Sequence, residues 1–224
     1  MDQVNLPFAL NDKMLLTNLV GEQNQALLNL IDKLLSGQDF GVICVVGEHA
    51  LGKTHLLQAS VMAAMDKGYS ALYLDLAQAL PPGFLQNLDD YNWMAIDNID
   101  VADAEQQQAL FDLYNRSKNA QKTLLVSAKQ LPNQLDLLID LKTRLSQALV
   151  FQLEVLSDEQ KLQVLETKLG HKGLRVETKV LTYLLKHYSR ELSELVETID
   201  KLDKLSLQQK KAITIPFVKQ WLKA

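Results

Sequence analysis

Gly47-Glu48-His49-Ala50-Leu51-Gly52-Lys53-Thr54 is a complete G-x-x-x-x-G-K-[ST]. It follows the apolar run 40–46 and opens a segment that reads as a helix, which is the setting this motif requires. The glycines let the backbone curl so that successive N–H groups converge on one point, and the positive end of the new helix adds to them. Such a cradle fits the phosphates of a nucleotide. Lys53 is placed to reach the β- and γ-phosphates, and the Thr54 hydroxyl to hold Mg²⁺. With glycine near 7% of residues in general, a chance match in a chain of this length is on the order of one in a hundred. The alternative is a loop kept only for packing.

The rest of the chain supports a folded α/β protein. It has 224 residues, 47% of them hydrophobic and 22% charged, with a net charge of −4. That composition supplies a sizeable core and excludes disordered, collagenous and coiled-coil classes. A pI near 5.6 argues against tight, non-specific nucleic-acid binding by the chain alone. The run Val42-Ile43-Cys44-Val45-Val46 is far short of the ~20 residues a membrane-spanning helix needs. The start, Met1-Asp2-Gln3-Val4-Asn5, has no basic or long apolar region of a secretory signal. A single cysteine, Cys44, can form neither an intrachain disulfide nor a Cys-x-x-Cys zinc site, which fits a reducing cytoplasm.

Residues 1–13 read as an extended tail, with Pro7 biasing Leu6 away from helix. A helix is expected from about Glu22, with Leu27, Leu28, Ile31, Leu34 and Leu35 on one face and Gly37 as its stop. Apolar runs at 40–46, 71–74, 93–96, 123–126 and 149–153 then alternate with helical segments. That pattern predicts a parallel sheet covered on both faces, in an α/β nucleotide-binding domain spanning 14–153. The run at 93–96 ends on Asp97, the acidic residue expected to hold Mg²⁺ or its waters beside a phosphate loop. After Leu153 the periodicity becomes purely helical, opening on Ser157-Asp158-Glu159-Gln160, a capping-box sequence. Residues 154–224 are therefore expected to form a small all-helical domain, punctuated by Gly170 and Gly173 and closed by a short helix beginning at Pro216.

Further segments carry a family resemblance: Ile96-Asp97-Asn98-Ile99, Phe111-Asp112-Leu113-Tyr114-Asn115-Arg116, Leu156-Ser157-Asp158-Glu159-Gln160-Lys161-Leu162-Gln163 and Ile213-Thr214-Ile215-Pro216-Phe217-Val218-Lys219. Through them nearly the whole chain resembles the Hda family, AAA+ regulatory inactivators of the bacterial replication initiator DnaA. The resemblance implies an AAA+ nucleotide domain with a helical lid and no DNA-binding domain after it. It implies ADP or ATP with Mg²⁺ at Gly47, Glu48, His49, Ala50, Leu51, Gly52, Lys53, Thr54, His55 and Asp97, with Thr54 and Asp97 on the metal. It also implies that Gln3, Val4, Leu6, Pro7 and Phe8 bind the sliding clamp, the β subunit of DNA polymerase III. Physically, a glutamine suits a pocket rim, and Leu6 and Phe8, stiffened by Pro7, suit an apolar groove. The plainer reading of that stretch is a tail folding back on its own domain. Arg144, in Leu141-Lys142-Thr143-Arg144-Leu145, looks like the family's arginine finger, acting in trans on a neighbour's γ-phosphate. Its plainer reading is a surface arginine favoured by a helix C-terminus.

The chain departs from the pattern in places. Active AAA+ ATPases usually carry a second carboxylate after the Mg²⁺-binding Asp; here Asn98 stands there, as in the Hda family, and an amide cannot act as that base. Weak intrinsic hydrolysis is expected. Lys129 stands where relatives commonly carry Asp, and either touches a phosphate or points to solvent. Ser193 occupies the place of the usual sensor arginine; Arg190, three residues earlier and expected on nearly the same helical face, either substitutes or leaves that contact absent. His171 and His187 lack metal-ligand partners at useful spacing, Trp93 and Trp221 read as core or interface anchors, and Lys201, Lys204, Lys210 and Lys211 as a solvated face.

The expected function is to stimulate ATP hydrolysis by DnaA while bound to the DNA-loaded clamp, preventing re-initiation. DNA would be reached only through the clamp, a homodimer is compatible with AAA+ surfaces, and no membrane is involved. The rival is a self-sufficient DnaA-like or helicase-loader ATPase acting on DNA.

Overall fold

The five apolar runs pair as parallel strands. The computed structural model describes residues 24–221 together with residues 10, 14–16 and 19. Its strands are β1 (Val42–Val46), β2 (Ala71–Asp75), β3 (Trp93–Asp97), β4 (Thr123–Ala128) and β5 (Leu149–Gln152), in the order β2-β3-β4-β1-β5. α1 (Gln25–Leu35) precedes the sheet, and the connections run through α2 (Lys53–Asp66), α3 (Ala104–Asn119) and α4 (Ile139–Ser146), with only the helical turn Phe84–Gln86 between β2 and β3. The sheet begins later than expected at β1, because Phe40 is held by Asp39, whose carboxylate accepts its amide. It runs further at β2 and β3, whose polar last residues Asp75 and Asp97 stay in the ladder, and at β4, which continues through Ser127 to Ala128.

Alternation along the strands divides the core in two. Val42, Cys44, Val46, Leu74, Ile96 and Val126 face one side with Leu110 and Leu113 of α3 and Leu141 and Leu145 of α4. Ile43, Val45, Tyr73, Ala95 and Leu125 face the other, with Leu27 and Ile31 of α1 and Leu56, Leu57 and Val61 of α2. Burying each Leu, Ile or Val contributes about 1.5–3 kcal/mol, so both layers are strongly held. Burial pushes the Cys44 thiol up to about 12 and keeps it un-ionised at neutral pH. The start of α1 differs slightly from expectation: it opens at Gln25, and Glu22 lies outside the described residues. Gly37, at φ 70°, ends the turn that follows it.

The chain divides into two compact units, 1–154 and 155–224. The second contains α5 (Asp158–His171), α6 (Thr178–His187), α7 (Leu192–Gln209) and α8 (Ile215–Trp221) around Leu165, Leu169, Leu184, Leu195, Ile199 and Phe217. Ser157 and Gln160 form a reciprocal cap: the Ser157 hydroxyl accepts the Gln160 amide at 3.2 Å, and the Gln160 side chain accepts the Ser157 amide at 2.8 Å. Gly170 lies inside α5, so only Gly173, at φ 68°, turns the chain out of it. Among the described residues no helix is long and apolar enough to cross a membrane.

Replacing Ser157 by Ala should destabilise this helical unit by about 1 kcal/mol, and Ser157→Asp should not. Urea unfolding followed by far-UV circular dichroism checks this; equal stability of all three proteins would show that the cap contributes nothing.

Candidate functional site

The loop after β1 is built by lack of room. A Cβ on Gly47 would meet Leu51 Cδ1 at 3.1 Å and the Leu153 carbonyl at 3.2 Å. Gly52, at φ +95°, supplies the left-handed turn that starts α2, and Ala50 also lies in that region at φ 60°. Lys53 opens the helix but curls back. Its ammonium donates to the carbonyls of Gly47 at 2.6 Å and Glu48 at 2.7 Å, and only 7% of the residue is exposed. Burial lowers its pKa, while the charges of Asp97 and Asp100 oppose that fall and Lys129 adds to it.

Asp97, at the end of β3, is fully buried. One carboxylate oxygen accepts the Thr54 hydroxyl at 2.6 Å and the Tyr73 phenol at 2.9 Å. The other accepts the Ser127 hydroxyl and the Asn98 amide, the latter at 3.1 Å. Burial, then the charge of Asp97, raise the Tyr73 pKa far above that of a free phenol, so Tyr73 remains a donor. The Thr54–Asp97 contact joins residues 43 apart in sequence and supplies the hydroxyl and carboxylate that a Mg²⁺ ion or its waters would use. Among the described residues no group of three His, Cys, Asp or Glu side chains forms a separate metal site.

Asn98 sits in the left-handed region at φ 58°, and its side-chain amide donates to Asp75 Oδ1 at 2.7 Å. Both ends of the residue are thus engaged, with the backbone amide turned to Asp97 and Ser127. Lys129, open between phosphate and solvent in the sequence, pairs with Asp100 at 3.1 Å.

The other expected residues have these surroundings. Glu48 and His49 are exposed, and His55 Nε2 lies 2.8 Å from the Leu15 carbonyl. Arg144 is half-buried in the last turn of α4, its guanidinium 5.9 Å from the centre of the Phe111 ring. Arg190 belongs to the helical unit and precedes α7, so it shares no helical face with Ser193; its guanidinium pairs with Asp158 at 3.0 Å. Gln3, Val4, Leu6, Pro7 and Phe8 lie outside the described residues. The structure therefore brings the loop and Asp97 together, and adds Tyr73, Asp75, Asp100 and Ser127, which the sequence reading missed. Asp75 ends β2, Tyr73 lies two residues before it, Asp100 follows β3 and Ser127 is the last residue but one of β4, a placement visible only once the strands are in register. A cavity of about 420 Å³ opens at the other end of the sheet, lined by Leu88, Met94, Leu113 and Arg116, and shares no residue with the loop.

Comparison with known proteins gives three findings. A family model described as "Hda, lid domain" matches residues 158–222. An uncharacterised protein of Haemophilus influenzae is 34% identical over 226 residues, covering 98% of both chains. Among solved structures, domain III of the Thermotoga maritima replication initiation protein DnaA superposes with a TM-score of 0.83 at 18% identity, covering 96% of this chain and 98% of that one. AMPPCP-bound DnaA from Aquifex aeolicus superposes with a TM-score of 0.73 at 24% identity, covering 88% of this chain and 67% of that one. At these identities the structural neighbours establish the fold: a parallel α/β domain followed by a helical domain, as in DnaA.

Because Tyr73 is one of the hydroxyl donors to a buried carboxylate, Tyr73→Phe should lower stability by about 1–3 kcal/mol. Urea denaturation of the two proteins measures it, and an unchanged midpoint would mean that Asp97 does not depend on that donor.

Proposed function

Because the chain belongs to the Hda family of the AAA+ superfamily, we propose that it regulates initiation of DNA replication by holding a nucleotide and completing the catalytic centre of DnaA. The loop amides and Lys53 are suited to hold the phosphates of ADP or ATP, and the Thr54 hydroxyl and Asp97 carboxylate would hold the accompanying Mg²⁺, which would neutralise phosphate charge. The observation that carries the reading is Asn98. Where a hydrolysing relative would present a carboxylate to the attacking water, this chain presents an amide that already donates to Asp75. Holding is thus favoured over turnover.

Arg144 supplies the other half of the reading. Its permanent, planar charge suits a transition state that spreads negative charge over phosphoryl oxygens, and Phe111 supports it from one side. The target is the γ-phosphate of ATP on DnaA. Gln3–Phe8 would tether the chain to the β clamp on DNA, so that DnaA is switched to its ADP form only after the replication machinery is loaded. Direct DNA contact is not needed, which agrees with the net charge of −4. Such a protein works in the cytoplasm, alone or as a homodimer.

The rival, a stand-alone ATPase acting on DNA, draws on the complete phosphate loop and is opposed by Asn98. The deciding assay is ATP hydrolysis by DnaA with clamp-loaded DNA, with this chain added or omitted. Acceleration on addition is expected. No acceleration, or brisk DNA-stimulated hydrolysis by this chain alone, overturns the proposal. Arg144→Ala should remove the acceleration, a loss on the order of 10³-fold, while leaving clamp retention intact. Gln3→Ala combined with Leu6→Ala should do the reverse in a clamp pull-down, and undiminished retention would free those residues of the role.

A further inference from the structure

Asp100 is an unusual neighbour for bound phosphate. It lies in the single helical turn Ile99–Val101 directly after β3, and its side chain is only 10% exposed. Both of its oxygens are taken by one residue: Oδ1 accepts the Lys129 amide at 3.2 Å, and Oδ2 faces the Lys129 ammonium at 3.1 Å. Lys129 is the first residue beyond β4. The last residue of that strand, Ala128, pairs in register with Val46, and its carbonyl accepts the Gly47 amide at 3.2 Å. The Asp100–Lys129 pair therefore sits beside the first residue of the phosphate loop, at the same end of the sheet as Asp97. Its reach is visible at Lys53, whose proton affinity responds to Asp97, Asp100 and Lys129.

We propose that Lys129 is the fixed counter-ion of Asp100, cancelling a second carboxylate charge beside the bound phosphates, and is not itself a phosphate ligand. This rests on the reading of the loop as a nucleotide site. The Lys129 side chain is 56% exposed, but if it left to grip a phosphate a carboxylate only 10% exposed would lose its ammonium partner, which disfavours that move. Held where it is, Lys129 makes the pair electrically neutral. Without it, Asp100 repels the nucleotide, more strongly the more phosphate charge the nucleotide carries. Lys129 thus sets both affinity and the balance between triphosphate and diphosphate.

The test is equilibrium binding of ADP and of ATP to the full chain and to Lys129→Met, Asp100→Asn, the double variant and Lys129→Arg, each first checked for a wild-type thermal unfolding profile. Lys129→Met should weaken ATP about tenfold and ADP about threefold at low salt, and both deficits should shrink as KCl is raised. Adding Asp100→Asn to Lys129→Met should bring both affinities back to within about twofold of wild type. Lys129→Arg, which keeps the charge and folds even if the methionine variant does not, should bind like wild type. A Lys129→Met deficit that persists in the double variant would identify Lys129 as a phosphate ligand and overturn the proposal, as would wild-type binding by Lys129→Met. Absence of binding by the wild-type chain would overturn the nucleotide reading itself, and this inference with it.

Discussion

A carboxylate withdrawn from water must be surrounded by donors, and the arrangement around Asp97 follows from that constraint. Its partners come from four places: Thr54 at the start of α2, Tyr73 on β2, the Asn98 amide just past β3 and Ser127 on β4. One side chain therefore ties the helix that follows the phosphate loop to the ends of three adjacent strands. The loop cannot shift against the sheet without stripping a buried charge of its partners. A network of this kind is stiff because every member is satisfied, and stiffness is what a cradle for phosphate oxygens needs.

In the proposed function, the same network separates gripping a nucleotide from cleaving it. Asn98 contributes its backbone amide to the Asp97 cluster and its side chain to Asp75, so it acts as a brace between two strand ends. Arg144, by contrast, stands on α4, outside these hydrogen bonds, with its guanidinium near the Phe111 ring. In the proposed function those two placements are complementary. One body keeps its own nucleotide quiet and offers its guanidinium to another.

What the sequence made legible and what it hid divide along local and non-local lines. The phosphate loop, the alternation of strands with helices and the Ser157–Gln160 cap are set by residues a few positions apart, and all could be read directly. A second reciprocal cap, Asp103 with Gln106 at the start of α3, obeys the same rule and was passed over. Strand ends were misjudged where polar residues such as Asp75 stay paired, because apolar runs mark burial and not hydrogen bonding. Tyr73, Ser127 and Asp100 could not be found by spacing: they lie 24, 30 and 29 residues from their partners Asp97 and Lys129. Only the register β2-β3-β4-β1 brings them together. The expectation that Arg190 shares a helical face with Ser193 is corrected for a local reason: the helix begins two residues after Arg190, at Leu192.

Among the described residues, the buried apolar cluster of the second unit runs from Leu165 to Val218, and the two layers flanking the sheet are built from residues between Leu27 and Leu153. Cooperativity in melting comes from shared interior contacts, so heat need not dissolve the whole polypeptide in one step. An evolutionary corollary goes with it. A substitution inside one core acts first on that core, so the sheet-bearing half and the small bundle can accumulate change at different rates.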